Sequence, residues 1–259
     1  MKLKKYFKVW LKTTVLSFQV YLFSRGASLL YLLGKFFRFG FFIILLYLVF
    51  GKTSSLAGFS LSQFITFFLV FNLLDILGQL FFRGIYWFRG EVITGKFDLT
   101  LVKPVNPLFQ ILTGRTDFLD LPLLLVVIFL LIKINPVVSW LNLLLFGLIL
   151  GCGFLLVIAI HILVASVGVL TTEVDHSMWI YRDLSFMVRV PVDIYQSSVR
   201  AFLTFILPLA VVFNFPAKAL LGILSWQSVI YSIIISMVFL RLSLFIWSLA
   251  LTKYSSASS

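Results

Sequence analysis

The sequence predicts an all-α polytopic membrane protein with six membrane-spanning helices. Hydrophobic residues make up 61% of the 259 residues and charged residues only 12%, which is about half the charged share of a typical soluble domain. A chain with so few polar side chains cannot cover a globule in water. Several apolar runs also approach the roughly 20 residues that a helix needs to cross a bilayer. We therefore expect one membrane domain over residues 1–259 and no separate soluble domain.

The first segment, residues 1–26, has the pattern of a basic amphipathic helix that lies in the membrane interface. Its apolar residues share one helical face and its lysines share the other. The apolar face contains Leu3, Phe7, Trp10, Leu11 and Phe18, and the basic face contains Lys5, Lys8 and Lys12. Lysines at this depth meet anionic lipid headgroups. No small-residue cleavage site follows, so we expect this interfacial helix to be retained.

Hydropathy predicts five long spans and leaves one region open to two interpretations. The long spans lie at about 27–50, 59–82, 118–134, 138–170 and 228–251. In the first interpretation of the remaining region, residues 201–213 form a span, although this run is too short for a bilayer and Pro208 interrupts it. In the second, 175–190 is a short polar span and 191–221 is a re-entrant hairpin that enters from outside. We favour the second interpretation.

The distribution of Lys and Arg predicts the orientation of the chain. With both termini in the cytoplasm, twelve of these cations fall on inner segments, and only Lys52 and Lys133 fall on outer loops. An excess of cations on cytoplasmic segments is the usual rule for inner or plasma membrane proteins. It also explains the net charge of +12 without nucleic acid as a partner. We expect membrane lipid, and no nucleic acid, around this chain.

Motifs for catalysis, metal binding and nucleotide binding are absent from the sequence. The single cysteine, Cys152, cannot form an intrachain disulfide, and His161 and His176 stand apart from any metal-ligand spacing. The stretch GKTSS at 51–55 resembles the end of a phosphate-binding loop, but Leu46 stands where that loop requires glycine. We therefore expect no catalytic residue, metal or cofactor in this chain, and no enzyme activity of its own.

Five polar residues are predicted to meet inside the membrane. Helical spacing places Lys35 and Arg38 on one face of the first span, and Asn72, Asp75 and Gln79 on one face of the second. Ionisable groups at bilayer depth pair with one another or line a water-filled path. Our hypothesis is an ion pair between Asp75 and either Lys35 or Arg38. The alternative is that the two cations extend to the inner headgroups.

The long polar loop at 83–116 separates the second and third predicted spans. Charged residues alternate in it with apolar and aromatic residues, and Gly84, Gly90, Gly95 and Pro104 divide it into short pieces. A flexible tether would be rich in Gly, Ser and Pro and would lack such apolar residues. The pattern indicates short helices that lie on the inner face and offer a docking surface.

Three blocks of the sequence resemble one family in matching order. The stretch VITGKFDLTLVKPVNPLFQIL resembles the first cytoplasmic loop of type-2 ABC exporter permeases, the transmembrane subunits of the ABC-2 family. The stretch PVDIYQSSVRAFLTFILPLAVVFNFPAKALLG and the ending SLALTKYSSAS resemble later blocks of the same family. Two departures are Gln196, where the family often has proline, and the high charge of the segment around 173–189.

The resemblance implies a permease subunit of an ATP-driven exporter that forms half of a translocation path. It implies a cytoplasmic coupling helix within 84–106, a separate ABC ATP-binding subunit, a second permease subunit of the same or a different kind, and an outward hairpin at 191–221. The residues expected to contact the ATP-binding subunit are Arg89, Glu91, Lys96, Phe97, Asp98 and Leu99. The alternative function is an ion-gradient-driven secondary transporter or channel without an ATPase partner. We detect no inverted repeat in favour of that alternative.

Overall fold

The computed structural model describes residues 2–171 and 174–255, and this part of the chain is helical without strands. The first six helices are α1 (Lys2–Phe23), α2 (Arg25–Phe50), α3 (Leu61–Phe82), α4 (Ile85–Ile93), α5 (Lys96–Leu101) and α6 (Pro107–Thr113). The later ones are α7 (Leu121–Ile134), α8 (Trp140–Thr171), α9 (Val174–Met187), α10 (Ser197–Ala201), α11 (Phe215–Leu220) and α12 (Trp226–Thr252). The prediction of an all-helical chain is confirmed.

Four helical stretches of the described chain are long and apolar enough to cross a membrane. They are Arg25–Phe50, Leu61–Ile93, Trp140–Thr171 and Trp226–Thr252. The bent pair Ser197–Ile206 and Ala210–Leu220 raises the number to five if it counts as one span. The predicted spans at 118–134 and 175–190 correspond to α7 and α9, each a helix of 14 residues. Because both are shorter than a bilayer requires, the count of six spans stays a prediction.

Polar caps explain where several helices begin. The Ser60 hydroxyl accepts from the backbone N–H of Gln63, and the Gln63 side chain accepts in return from the Ser60 N–H, which forms a complete capping box before α3. The Asn106 side chain caps α6 with Pro107 in the first turn, and Ser225 caps α12. These local signals stand directly before the apolar runs that become helices.

The helices α3 and α8 form the centre of the fold. Most of α3 is buried within the chain, whereas α2 is largely accessible at its surface. One apolar cluster surrounds the C-terminal half of α3 and the middle of α8, with Phe71 and Phe213 in ring contact at 4.7 Å. A second cluster packs α2 and α7 against the N-terminal half of α3, where Phe42 stacks on Phe68 at 4.4 Å. The apolar surfaces of α2, α7 and α12 that remain exposed are suited to lipid tails.

The segment that contains α10 and α11 is sharply bent. Its two arms, Ser197–Ile206 and Ala210–Leu220, meet at an angle of 87°, and Pro208 lies in the break between them. Proline has no N–H to donate and interrupts the helix there. The fully buried Asn214 fixes the second arm, since its side chain accepts from the Val192 N–H at 2.6 Å and donates to the Val188 carbonyl at 2.8 Å. The bend lies inside the hairpin predicted at 191–221.

Substitution of Gly153 tests how the bent segment packs on α8. A Cβ atom at Gly153 would lie 2.7 Å from the Val212 carbonyl oxygen, whereas a Cβ at Gly151 meets nothing within 4 Å. We expect Gly153→Ala to destabilise the chain by roughly 1–3 kcal/mol, because the added methyl group would push the backbone at Val212 away from α8. Gly151→Ala is the matched control and should be neutral or slightly stabilising, since alanine favours helix. The measurement is the midpoint of thermal unfolding in detergent, and equal midpoints for the two variants would contradict this packing.

Candidate functional site

Three short helices between α3 and α7 form a folded unit. We call α4, α5 and α6, residues 85–113, the loop platform. Gly95 turns the chain between α4 and α5 with a φ of +68°, a conformation that glycine adopts at little cost. At Gly84 a Cβ atom would lie 2.1 Å from the Ile111 carbonyl oxygen, so the start of α4 lies against the end of α6. The short helices expected in the polar loop are present.

Phe97 holds the platform to the end of the chain. Its side chain is fully buried and makes edge contacts with Phe88 at 5.1 Å and Tyr254 at 5.0 Å. Trp247 of α12 lies on another side at 6.5 Å. Because this ring points into the chain's own core, it supports the platform from within. In the isolated chain Phe97 therefore has no surface to offer to another subunit.

The other residues expected at an interface lie closer to the surface. Arg89 forms an ion pair of 3.3 Å with Asp175 of α9, and both side chains are half-exposed. Burial raises the pKa of Glu91, although Lys103, Arg115 and Lys96 act in the opposite direction. Lys96 is exposed. These charges lie at the rim of the platform, where they affect association more than stability.

Asp98 and Leu99 face different surroundings although they are adjacent. Asp98 accepts a hydrogen bond of 2.9 Å from the Tyr254 hydroxyl, and burial together with this bond raises the pKa of Tyr254 to about 12. Leu99 is 63% exposed. Two further apolar side chains of the same region, Ile93 and Val102, are also exposed. The platform thus presents an apolar surface beside charged groups.

The N-terminal helix α1 packs against the platform, α3 and the segment that follows the platform. Lys5 donates to the Pro104 carbonyl, and Trp10 stacks on Phe81 with ring centres 6.1 Å apart. Further along, the hydroxyls of Thr14 and Thr116 are 3.2 Å apart. The predicted interfacial helix therefore contacts the platform near its first turn, and α3 and the segment after the platform further along.

All five residues of the predicted intramembrane cluster line one cavity of about 250 Å³. We call it the polar cavity, and it contains Lys35, Arg38, Asn72, Asp75 and Gln79. Tyr31, which lies on the same face of α2 as Lys35 and Arg38, lines it as well. Three further polar residues of its lining, Arg83, Asp120 and Arg182, were not predicted from the sequence. Helical spacing correctly predicted that these faces of α2 and α3 line one space. Spacing within one helix carries no information about the residues that other segments contribute.

The predicted ion pair of Asp75 is not found in the described chain. Lys35 instead pairs with Asp117 at 3.2 Å and with Asp120, while Arg83 lies 3.8 Å from Asp117. Asp117 is fully buried and Asp120 nearly so. We call these four residues the ion cluster. Asp117 and Asp120 precede α7, so the only sequence signal for them was a pair of carboxylates immediately before an apolar run.

Neutral polar groups complete the wall of the polar cavity. Arg83 donates to the Gln79 side chain at 2.6 Å and to the Tyr31 hydroxyl at 3.3 Å. Arg182 of α9 donates to the Tyr86 hydroxyl at 2.9 Å. The charges of α2, α3 and α9 therefore meet around one space beside the loop platform.

His161 is a packing residue. Its Nδ1 lies 2.8 Å from the Val157 carbonyl oxygen, and its ring contacts Phe82 at 5.5 Å. Among the described residues no group of three or more His, Cys, Asp or Glu side chains is placed to hold a metal ion.

The helices and the family comparison together define a multi-pass membrane protein of the transport class. The sequence model described as ABC-2 family transporter protein matches residues 36–258. The chain belongs to this family, whose members are the membrane subunits of ABC transporters and associate in general with an ABC ATP-binding subunit. Comparison with curated proteins and with solved structures gives no significant match. The resemblance inferred from the three sequence blocks is confirmed.

Asp117 tests the ion cluster. We expect Asp117→Asn to destabilise the chain by about 3–5 kcal/mol, because it removes the carboxylate that Lys35 and Arg83 share inside the protein. Asp75→Asn is the matched control, since Asp75 lines the same cavity and forms no ion pair within the described chain. Thermal unfolding of the purified protein in detergent measures both. Equal losses for the two variants would contradict the assignment of the ion cluster.

Proposed function

We propose that this chain is the transmembrane permease subunit of an ATP-driven ABC exporter and forms half of its translocation path. The observation that supports this most is the family match over residues 36–258. The chain itself provides no nucleotide-binding motif, so ATP hydrolysis belongs to a separate ATP-binding subunit. A second permease subunit, the same or different, completes the path.

The loop platform is the proposed coupling element, and its packing supports that role. A coupling element has to move together with the membrane helices. Phe88 of α4 and Phe97 of α5 are buried in one apolar cluster with residues of α8 and α12, and Gly84 brings α4 against α6. The guanidinium of Arg115 lies 4.1 Å from the Trp87 ring centre and joins the two ends of the loop. Such an arrangement transmits displacement in place of absorbing it.

The contact surface for the ATP-binding subunit is proposed around Leu99. Exposed Leu99 and Val102 supply apolar area, and Arg89, Glu91 and Lys96 supply charges at the rim. Buried apolar contacts contribute most of the affinity of such interfaces, whereas rim charges contribute to orientation and association rate. Phe97 acts from the inside by holding α5, and Asp98 acts through Tyr254 of the C-terminal end.

The proposed topology places both termini and the platform in the cytoplasm. Six membrane-crossing elements then include α7 and α9, with the bent segment at 191–221 entering from the outer face. ATP-driven closure of the partner dimer would move the platform and rearrange the helices between inward-open and outward-open states. Export is the direction that the resemblance to type-2 exporters favours.

One observation favours the alternative of ion-gradient-driven transport. Asp75 lines the polar cavity without an ion pair among the described residues, and carboxylates that line a cavity between membrane helices are common on ion paths. The two functions are distinguished by transport in vesicles that contain this chain alone. Substrate movement driven by an ion gradient, without ATP and without an ATP-binding subunit, supports the alternative and contradicts the exporter.

Leu99 tests the exporter directly. In vesicles that contain this chain with the ATP-binding subunit that copurifies with it, we expect Leu99→Glu to reduce transport-coupled ATP hydrolysis about tenfold, because a charge replaces a central apolar contact. Val137→Glu is the matched control, since Val137 is also exposed but lies beyond the opposite end of α7. Unchanged hydrolysis for Leu99→Glu, or an equal loss for Val137→Glu, would contradict the proposed coupling surface.

A further inference from the structure

The polar cavity and its immediate surroundings have an excess of positive charge. The cations are Lys35, Arg38, Arg83, Arg182 and Arg189, and the carboxylates are Asp75, Asp117 and Asp120. Five cations against three carboxylates leave two positive charges without compensation from the chain. Uncompensated charge within a membrane protein is costly, so a counter-charge from outside the chain would be stabilising.

Three cations of this region have no carboxylate at ion-pair distance among the described residues, and two of them line the polar cavity. Lys35 and Arg83 are already engaged by the ion cluster. Arg38 is exposed toward the cavity and forms no ion pair in the described chain. Arg182 donates to a neutral tyrosine hydroxyl. Arg189 lies 3.7 Å above the Phe186 ring, and its Nε has no hydrogen-bond partner. The planar guanidinium of arginine matches the geometry of carboxylate and phosphate groups.

An apolar groove of about 610 Å³ adjoins the polar cavity. The groove lies between α1 and α2, which join at Ser24, and Leu16, Val20, Trp87 and Leu119 contribute apolar side chains to its walls. Tyr31 and Arg83 line both the groove and the polar cavity. The two spaces therefore meet at the hydrogen bond between the Tyr31 hydroxyl and Arg83.

We propose that the polar cavity and the apolar groove form one binding site for an amphiphilic organic oxyanion. The oxyanion group occupies the polar cavity against Arg38 and Arg182, and the apolar body of the molecule occupies the groove between α1 and α2. Phosphate, carboxylate and sulfonate headgroups share the required chemistry. Asp75 limits the affinity, because its negative charge faces the same cavity. Displacement of the Tyr31–Arg83 contact opens the way from the groove to the cavity.

The combined site fits an amphiphile better than a free inorganic anion. A free anion would use the two uncompensated charges and leave the groove without a role. A neutral alkyl chain would use the groove and leave the excess charge uncompensated. The role of this site in transport rests on the proposed function, whereas binding at the site does not.

The test is binding of dodecyl phosphate to the purified chain, without any ATP-binding subunit, by native mass spectrometry from a neutral detergent. We expect one dodecyl phosphate per chain. We expect Arg38→Gln to weaken binding about tenfold, the effect of losing one charge-assisted contact. Asp75→Asn should strengthen binding by a similar factor, because it removes the opposing charge. Lys133→Gln is the matched control, since it removes a cation at the far end of α7 and should bind as the unmodified chain does.

Two further ligands test separately whether the headgroup and the apolar body of the molecule are both required. Inorganic phosphate that binds as tightly as dodecyl phosphate would overturn the amphiphile, and dodecanol that binds equally well would overturn the role of the charges. Equal affinities of Arg38→Gln, Asp75→Asn and Lys133→Gln would likewise overturn the site. Because this assay needs no ATP hydrolysis, its failure leaves the coupling experiment on Leu99 unaffected, and failure of that experiment leaves this binding unaffected.

Discussion

The ion cluster is the interaction on which the arrangement of the chain depends. Asp117 is fully buried where the loop platform leads into α7, and it lies beside Lys35 of α2 and Arg83 at the end of α3. An isolated charge at that position would be very costly, so each member of the cluster is stable only while the others remain. The cluster therefore fixes the exit of the platform relative to two of the membrane helices. Displacement of the platform then has to reach α2 and α3.

The positions of the long helices could be predicted from sequence because the signals are local. Apolar runs predicted spans at 27–50, 59–82, 138–170 and 228–251, and helices occur at Arg25–Phe50, Leu61–Phe82, Trp140–Thr171 and Trp226–Thr252. Helical spacing alone brought Lys35 and Arg38 to the same cavity as Asp75. The charge of a residue and the face on which it lies are properties of a single helix, and no tertiary information is needed to read them.

Partner choice could not be predicted because it depends on contacts between distant segments. Lys35 pairs with residues more than 80 positions away. Asp75, the candidate nearer in the sequence, lines the cavity instead. Phe97 was expected to contact the ATP-binding subunit, but its ring is buried against Tyr254, which follows the last helix. Arg182 reaches the cavity from α9, a segment whose charge made its depth ambiguous. Each of these outcomes follows from how helices pack, and hydropathy carries no information about that.

The most direct test of the coupling role is the side of the membrane on which the platform lies and what covers it there. In a Cys152→Ser background, Leu99→Cys would be labelled with a membrane-impermeant thiol reagent in inverted and in right-side-out vesicles. We expect labelling from the cytoplasmic side alone, and loss of that labelling when the ATP-binding subunit is bound. Labelling from the outer side, or undiminished labelling in the complex, would contradict the coupling role.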